Sequence, residues 1–217
     1  MTVEVVWVTP DAEKHLAYIA RVSNPDNQET GDASKLIAYL IKHKHWSPFE
    51  MVSVCLEVNT ARDIGRQALR HNPRVQEFSQ RYQTVDKLDG FVYREFRKQD
   101  KKNRQKSIDV PEDDPRHLQW KAQQEKVIRA CSEAYEWCIA NGGAKEVARV
   151  VLPEGLTPTR MYFHGNLRDW IHYVEVRCDE STQKEHREIA NAVKGKLVEL
   201  FPTVASAMGW AHVESSS

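Results

Sequence analysis

Residues 66 to 82 read RQALRHNPRVQEFSQRY, and this stretch concentrates four arginines, a histidine, a glutamate, a serine and three glutamines in seventeen positions. Guanidinium forks match phosphate oxygens two at a time, and a serine hydroxyl can donate to the same oxygens. A glutamate is misplaced beside a phosphate unless it meets N–H or O–H groups, such as those of a sugar or a base. The combination describes a nucleotide site. If residues 61–70 are helical, Arg66 and Arg70 lie one turn apart, as do Gln67 and His71, before Asn72 and Pro73 break the helix. If QEFSQRY is extended, Glu77, Ser79 and Arg81 point to one side, roughly 7 Å apart per pair. The alternative is a solvated loop laced with salt bridges. Two isolated arginines weigh against it: Arg149 in ARVVLP and Arg177 in HYVEVR sit in apolar surroundings and need an anionic partner. Three separate segments thus offer arginines to one converging anion site.

Other chemistry is less well supported. The HKH at 43–45 lacks a third ligand at metal spacing, and a polar helix end is the simpler reading. The run RKQDKKNRQK has few interleaved aromatics and is followed by EDD, which favours an exposed loop over nucleic-acid contact. The sequence has no GxGxxG or P-loop pattern, so any dinucleotide needs an unusual site. Cys55, Cys131, Cys138 and Cys178 form no CxxC pair, and none stands beside a plausible histidine base. They read as reduced, packed thiols.

The elements that must position these residues follow from periodicity. The 217 residues are enough for a sizeable core, and 31 basic side chains balance 31 acidic ones, so charge acts locally rather than as a global field. VEVVWV (3–8), MVSVCLEV and TPTRMYFHG alternate like strands, and FVYREF is a further candidate. Helical spacing is predicted for DAEKHLAYIARVS, for a segment capped by Asp32 with Leu36, Ile37, Leu40 and Ile41 inward, and for ARDIGRQALRH. The longest helix runs from about His117 to Asn141, with Leu118, Val127, Cys131, Ala134 and Cys138 as inward candidates. A short helix AKEVARVV ends at Pro153, NLRDWIHYVEVR follows, and a last helix aligns Ala190, Val193, Leu197 and Phe201. Residues 94–114 are charged and read as an exposed excursion. The mixture lacks regular βαβ alternation, so an α+β (mixed α/β) sheet flanked by helices in one domain, 1–217, is expected. No apolar run approaches the ~18 residues of a membrane helix, and a cytoplasmic protein is expected.

The motifs together resemble the flavin-dependent thymidylate synthases. That family carries a helix-ending RQ-x-x-RHR, then a loop and N/Q-E-x-S-x-R-Y, which here reads RQALRHNPRVQEFSQRY. ARVS (20–23), HWSPFE (45–50), ARVVLP (148–153) and NLRDWIHYVEVRCD (166–179) match further family segments in the family's order. The resemblance implies a homotetramer with active sites shared between subunits. The implied reaction converts dUMP to dTMP, with methylenetetrahydrofolate as carbon donor and NADPH as reductant through FAD. Gln67, Glu77, Ser79, Arg81, Arg149 and Arg177 match nucleotide-binding positions, and Arg177, with Ser79 and Arg81, matches the catalytic set. Ser23, Ser53, Arg70, His71, Asn72, Glu77, Asn166, Arg168 and His172 match flavin-binding positions. Asn72 stands where the family has arginine, the loop from Arg70 to Glu77 is one residue shorter, and Met51 stands where many members have histidine after PFE. Neither a nucleic acid nor a membrane partner is implied, and no metal.

Overall fold

A computed structural model describes residues 1–29, 32–71, 74–88 and 90–210. Its centre is a four-stranded antiparallel sheet in the order β1-β2-β6-β3, built from β1 (Thr2–Val8), β2 (Ser53–Ala61), β3 (Val75–Glu77) and β6 (Pro158–Asn166). Two further strands, β4 (Arg97–Gln99) and β5 (Ser107–Asp109), pair with each other as a separate hairpin. In β6 the alternation is regular: Thr159, Met161, Phe163 and Gly165 are buried while Arg160 and Tyr162 are exposed. Val54, Leu56 and Val58 of β2 join Met161 and Phe163 on the buried face. A bulge between Val5 and Trp7 shifts the register of β1.

The helices are α1 (Ala12–Ala20), α2 (Ala33–Lys42), α3 (Arg62–Ala68), α4 (Arg116–Ala140), α5 (Lys145–Ala148), α6 (Leu167–Arg177), α7 (Lys184–Leu200) and α8 (Pro202–Ala207). As expected, the Asp32 carboxylate caps α2 by accepting from the Ser34 N–H at 2.8 Å. Ile37, Leu167, Ile171, Ile189, Val193, Leu197 and Phe201 pack against the sheet as one core. Pro48 falls in a 3-10 turn, Ser47–Met51, that carries the fully buried Phe49 into that core. The class is α+β, with a sheet flanked by helices.

Four expectations need correction. FVYREF forms no strand; the nearest pairing begins at Arg97. QEFSQRY is extended only to Glu77, because the Ser79 carbonyl then accepts from the N–H groups of Tyr82 and Gln83, both at 3.1 Å, and the chain turns. In α4, Cys131 is buried as expected, but Leu118, Val127 and Ala134 face outward. That helix packs mainly on α5 and the turn after it, over a small cluster of Tyr135, Ala148 and Leu152. Finally, the charged segment 94–114 is not wholly exposed. The side chains of Arg94 and Arg97 are only 14% and 13% exposed, because Glu185, on the core-facing side of α7, needs cationic partners.

Candidate functional site

The polar stretch hangs between two fixed ends. Its helical end, α3, is pressed onto the sheet at Gly65: a Cβ there would lie 2.6 Å from the Met161 sulfur, so any larger residue would have to displace that buried side chain. The helix ends at Ala68, so Arg70 and His71 belong to the following turn. Asn72 lies outside the described residues. The chain resumes at Arg74, whose carbonyl accepts from the His164 N–H at 3.0 Å, and pairs with β6 through Val75–Glu77.

Around the end of α3 a cluster forms with α6 and α7. Arg177 Nε donates to His71 Nε2 at 2.6 Å. An arginine can only donate, so His71 is a neutral imidazole with its proton on Nδ1. Burial lowers the His71 pKa, and the charges of Arg177, His172 and Arg70 lower it further. The His71 ring lies edge-on to Tyr173, whose hydroxyl is pushed up by burial, and 6.3 Å from the ring of His186. His186 is fully buried, and neither ring nitrogen has a hydrogen-bond partner among the described residues. Burial, then Arg177 and His71, push its pKa down to about 4. His71, Tyr173, Trp170, Asp169, Thr60 and Ala68 contribute to the wall of a narrow cleft between sheet and helices. Gln67, one turn before His71, donates through Nε2 to Gln183 Oε1 at 2.8 Å.

A second cluster gathers where the chain turns after Glu77. Glu77 Oε1 accepts from the Thr159 hydroxyl at 2.8 Å and lies 3.2 Å from Nη1 of Arg62, a residue only 7% exposed. Ser79 Oγ accepts from the Arg81 N–H at 3.4 Å. Arg81 Nε sits 3.2 Å from Glu146 on α5, and Lys145 donates to the Tyr82 carbonyl at 2.9 Å. The turn is thereby docked on α5, whose C-cap is Arg149. So Arg81 pairs with α5 through Glu146, one turn before Arg149, whereas Arg177 is joined to His71.

A third group lies at the start of α6. Ser53 faces Asn166 across the β2–β6 pairing. The Asn166 side chain caps α6, accepting from the Asp169 N–H at 2.8 Å, while Asp169 accepts from the Asn166 N–H at 3.2 Å. Arg168 donates to Glu50 of the 3-10 turn, and His172 is exposed one turn further along α6. Ser23 is exposed in the turn after α1. His43 and His45 pack their rings on Tyr39, at 4.3 and 6.0 Å. All four cysteines are free, and burial raises the thiol pKa of Cys55, Cys131 and Cys178, making them poor thiolates.

This arrangement has neighbours among known proteins. Residues 4–203 match the family model described as thymidylate synthase complementing protein. A probable flavin-dependent thymidylate synthase of Paramecium bursaria Chlorella virus 1 is 46% identical over 97% of this chain and 96% of its own length. The flavin-dependent thymidylate synthase of Synechocystis sp. is 47% identical over 90% of this chain and 88% of its own. The chain belongs to the flavin-dependent thymidylate synthase family. A crystal structure of the UMP/dUMP methylase PolB from Streptomyces cacaoi, bound with 5-Br UMP, superposes with a TM-score of 0.83 at 26% identity, covering 98% of this chain and 95% of that one. Sequence reasoning missed Tyr173 inside the motif blocks and Arg62, Gln183, Glu185 and His186 outside them. One signal was available: His186 falls one turn before Ala190 on the apolar stripe of α7, where an ionisable side chain must be buried.

Proposed function

We propose that the protein methylates dUMP to dTMP in de novo dTMP synthesis, taking the carbon from methylenetetrahydrofolate and reducing equivalents from NADPH through FAD. The near full-length identity to flavin-dependent thymidylate synthases carries this reading. The likeness to a UMP/dUMP methylase supports the nucleotide class. Gln67, Glu77, Ser79, Arg81, Arg149 and Arg177 bind the nucleotide. Arg81, paired to α5 through Glu146, and Arg149 at the end of α5 suit its phosphate. Arg177 polarises a uracil carbonyl and stabilises negative charge on the ring, and the neutral His71 aims its guanidinium. Among the described residues the Ser79 hydroxyl meets only the Arg81 N–H and no base, so it serves binding, not nucleophilic attack.

The donor set also fits a flavin dinucleotide. Ser53 and Asn166 across one strand pair, Arg168 and His172 one turn apart, and the exposed Arg70 and Ser23 offer hydroxyl, amide and cationic groups for ribose and pyrophosphate. His71, Glu77 and Asn72 complete the flavin-binding set. Bound FAD supplies the redox chemistry, so the chain needs no thiol nucleophile; its own tasks are binding, orientation and polarisation.

The functional unit is one domain, 1–217, assembled as a cytoplasmic homotetramer with shared sites. Trp120, Val127 and Ala134 recur every seven residues on α4 and are exposed in the single chain, which supports self-association. Among the described residues no helix is long and apolar enough to cross a membrane. Absorption spectroscopy tests the reading directly. The purified protein should be yellow or take up FAD, dUMP should perturb the flavin bands, and the complete mixture should form dTMP. A protein that takes up no FAD overturns the reading.

A further inference from the structure

The charged segment before α4 reaches Gln67 of α3 through a continuous chain of polar contacts. Glu185, near the start of α7, is buried between two arginines: Arg94 Nη1 lies 3.0 Å from Oε2, and Arg97 Nη2 donates to Oε1 at 2.5 Å. Arg94 also donates to Asp63 of α3 at 2.7 Å. On the other side, Gln183 Nε2 donates to Glu185 Oε2 at 2.9 Å, and Gln183 Oε1 accepts from Gln67.

The direction of this chain is dictated by charge. Burial alone would favour a protonated Glu185. The hydrogen bonds from Gln183 and its own backbone N–H, with the charges of Arg94 and Arg97, outweigh burial and hold its pKa near 2. An ionised carboxylate only accepts, so Gln183 must turn its NH2 toward Glu185 and its carbonyl toward Gln67. Gln67 must then spend one N–H on Gln183, which fixes its amide plane. Its carbonyl accepts no hydrogen bond among the described residues and remains, with one N–H, for a ligand.

We propose that Arg94 and Arg97, acting through Glu185 and Gln183, are positioning residues that pre-orient the Gln67 amide for dUMP, so that the β4–β5 hairpin is a working part of the substrate pocket. This rests on the reading of Gln67 as a nucleotide-binding residue. A pinned amide binds without first losing rotamer freedom, whereas a released one must be ordered on each binding event. Arg97 stands on β4, so the hairpin contributes through its base, while its tip at 100–106 is exposed apart from half-buried Asp100 and Lys106.

A double-mutant cycle read by calorimetric dUMP affinity tests the relay. Gln183→Met breaks the chain without touching an ion pair, and Arg97→Gln weakens it at the hairpin. Each should raise the dUMP Kd about five- to tenfold, the worth of one oriented hydrogen bond, while FAD affinity stays the same. In a Gln67→Ala background the same substitutions should change the dUMP Kd less than about twofold, because the group they act on is gone. A merely structural role predicts equal losses in both backgrounds, and that result, or no loss in the parent, overturns the relay. Should Arg97→Gln fail to fold, Gln183→Met alone decides. If the parent binds dUMP but shows no coupling, only the relay falls; if it binds no dUMP, the functional reading falls with it.

Discussion

At the residue scale the most informative pair is Arg177 and His71. A guanidinium donating to an imidazole excludes a second proton from that ring, and burial works in the same direction. His186, packed near Tyr173 and His71 and repelled by Arg177, is held neutral even more firmly. Its stability consequence has a definite sign. Unfolded, the imidazole takes up its proton near 6.5; folded, only near about 4. Between these values the unfolded chain holds more protons, so this contribution is fully present above pH 6.5 and is lost as pH falls toward 4. The loss amounts to at most about 3 kcal/mol. His186→Leu should flatten the urea-denaturation stability between pH 7 and pH 5; an unchanged slope would mean that another group governs acid sensitivity. None of this was readable from the motif, because the motif names His71 but not the rings packed around it.

At the element scale, the sheet and α3 decide where the polar stretch can go. MVSVCLEV and TPTRMYFHG were legible as strands because period-two alternation is a local property, and they pair along nine residues. The expected row of Glu77, Ser79 and Arg81 on a strand was not realised, because side chain and backbone hydrogen bonds around Ser79 compete locally with continued pairing. That turn is docked on α5 instead, with Arg81 paired to Glu146. Placement of α3 depends on Gly65, since fully buried Met161 leaves no room for a methyl group. Gly65→Ala should therefore cost about 1–3 kcal/mol of folding stability. It should also weaken dUMP binding, since Gln67 rides on the same helix. Chemical denaturation and dUMP titration of one sample would check both, and a variant as stable as the parent would place the constraint elsewhere.

At the scale of the whole molecule, α4 is the unsatisfied part. Its Trp120, Val127 and Ala134 have the spacing of a packed face, yet all three are exposed in the single chain. If the chain assembles through this face as proposed, Val127→Glu should give smaller species in sedimentation velocity and lower dTMP formation with it. A fully active monomer in the parent protein would contradict shared sites. The sequence by itself determined the α+β class, most element positions, the family and the candidate nucleotide and flavin residues. Periodicity, capping and motif spacing are local, and the chain carries them unaided. Only the tertiary structure decided that Arg177 meets His71, that Arg62 holds Glu77, and that the charged hairpin is anchored on Glu185. Those pairs lie roughly 15 to 106 positions apart in sequence, and a buried charge finds its partner through packing, which no local pattern encodes.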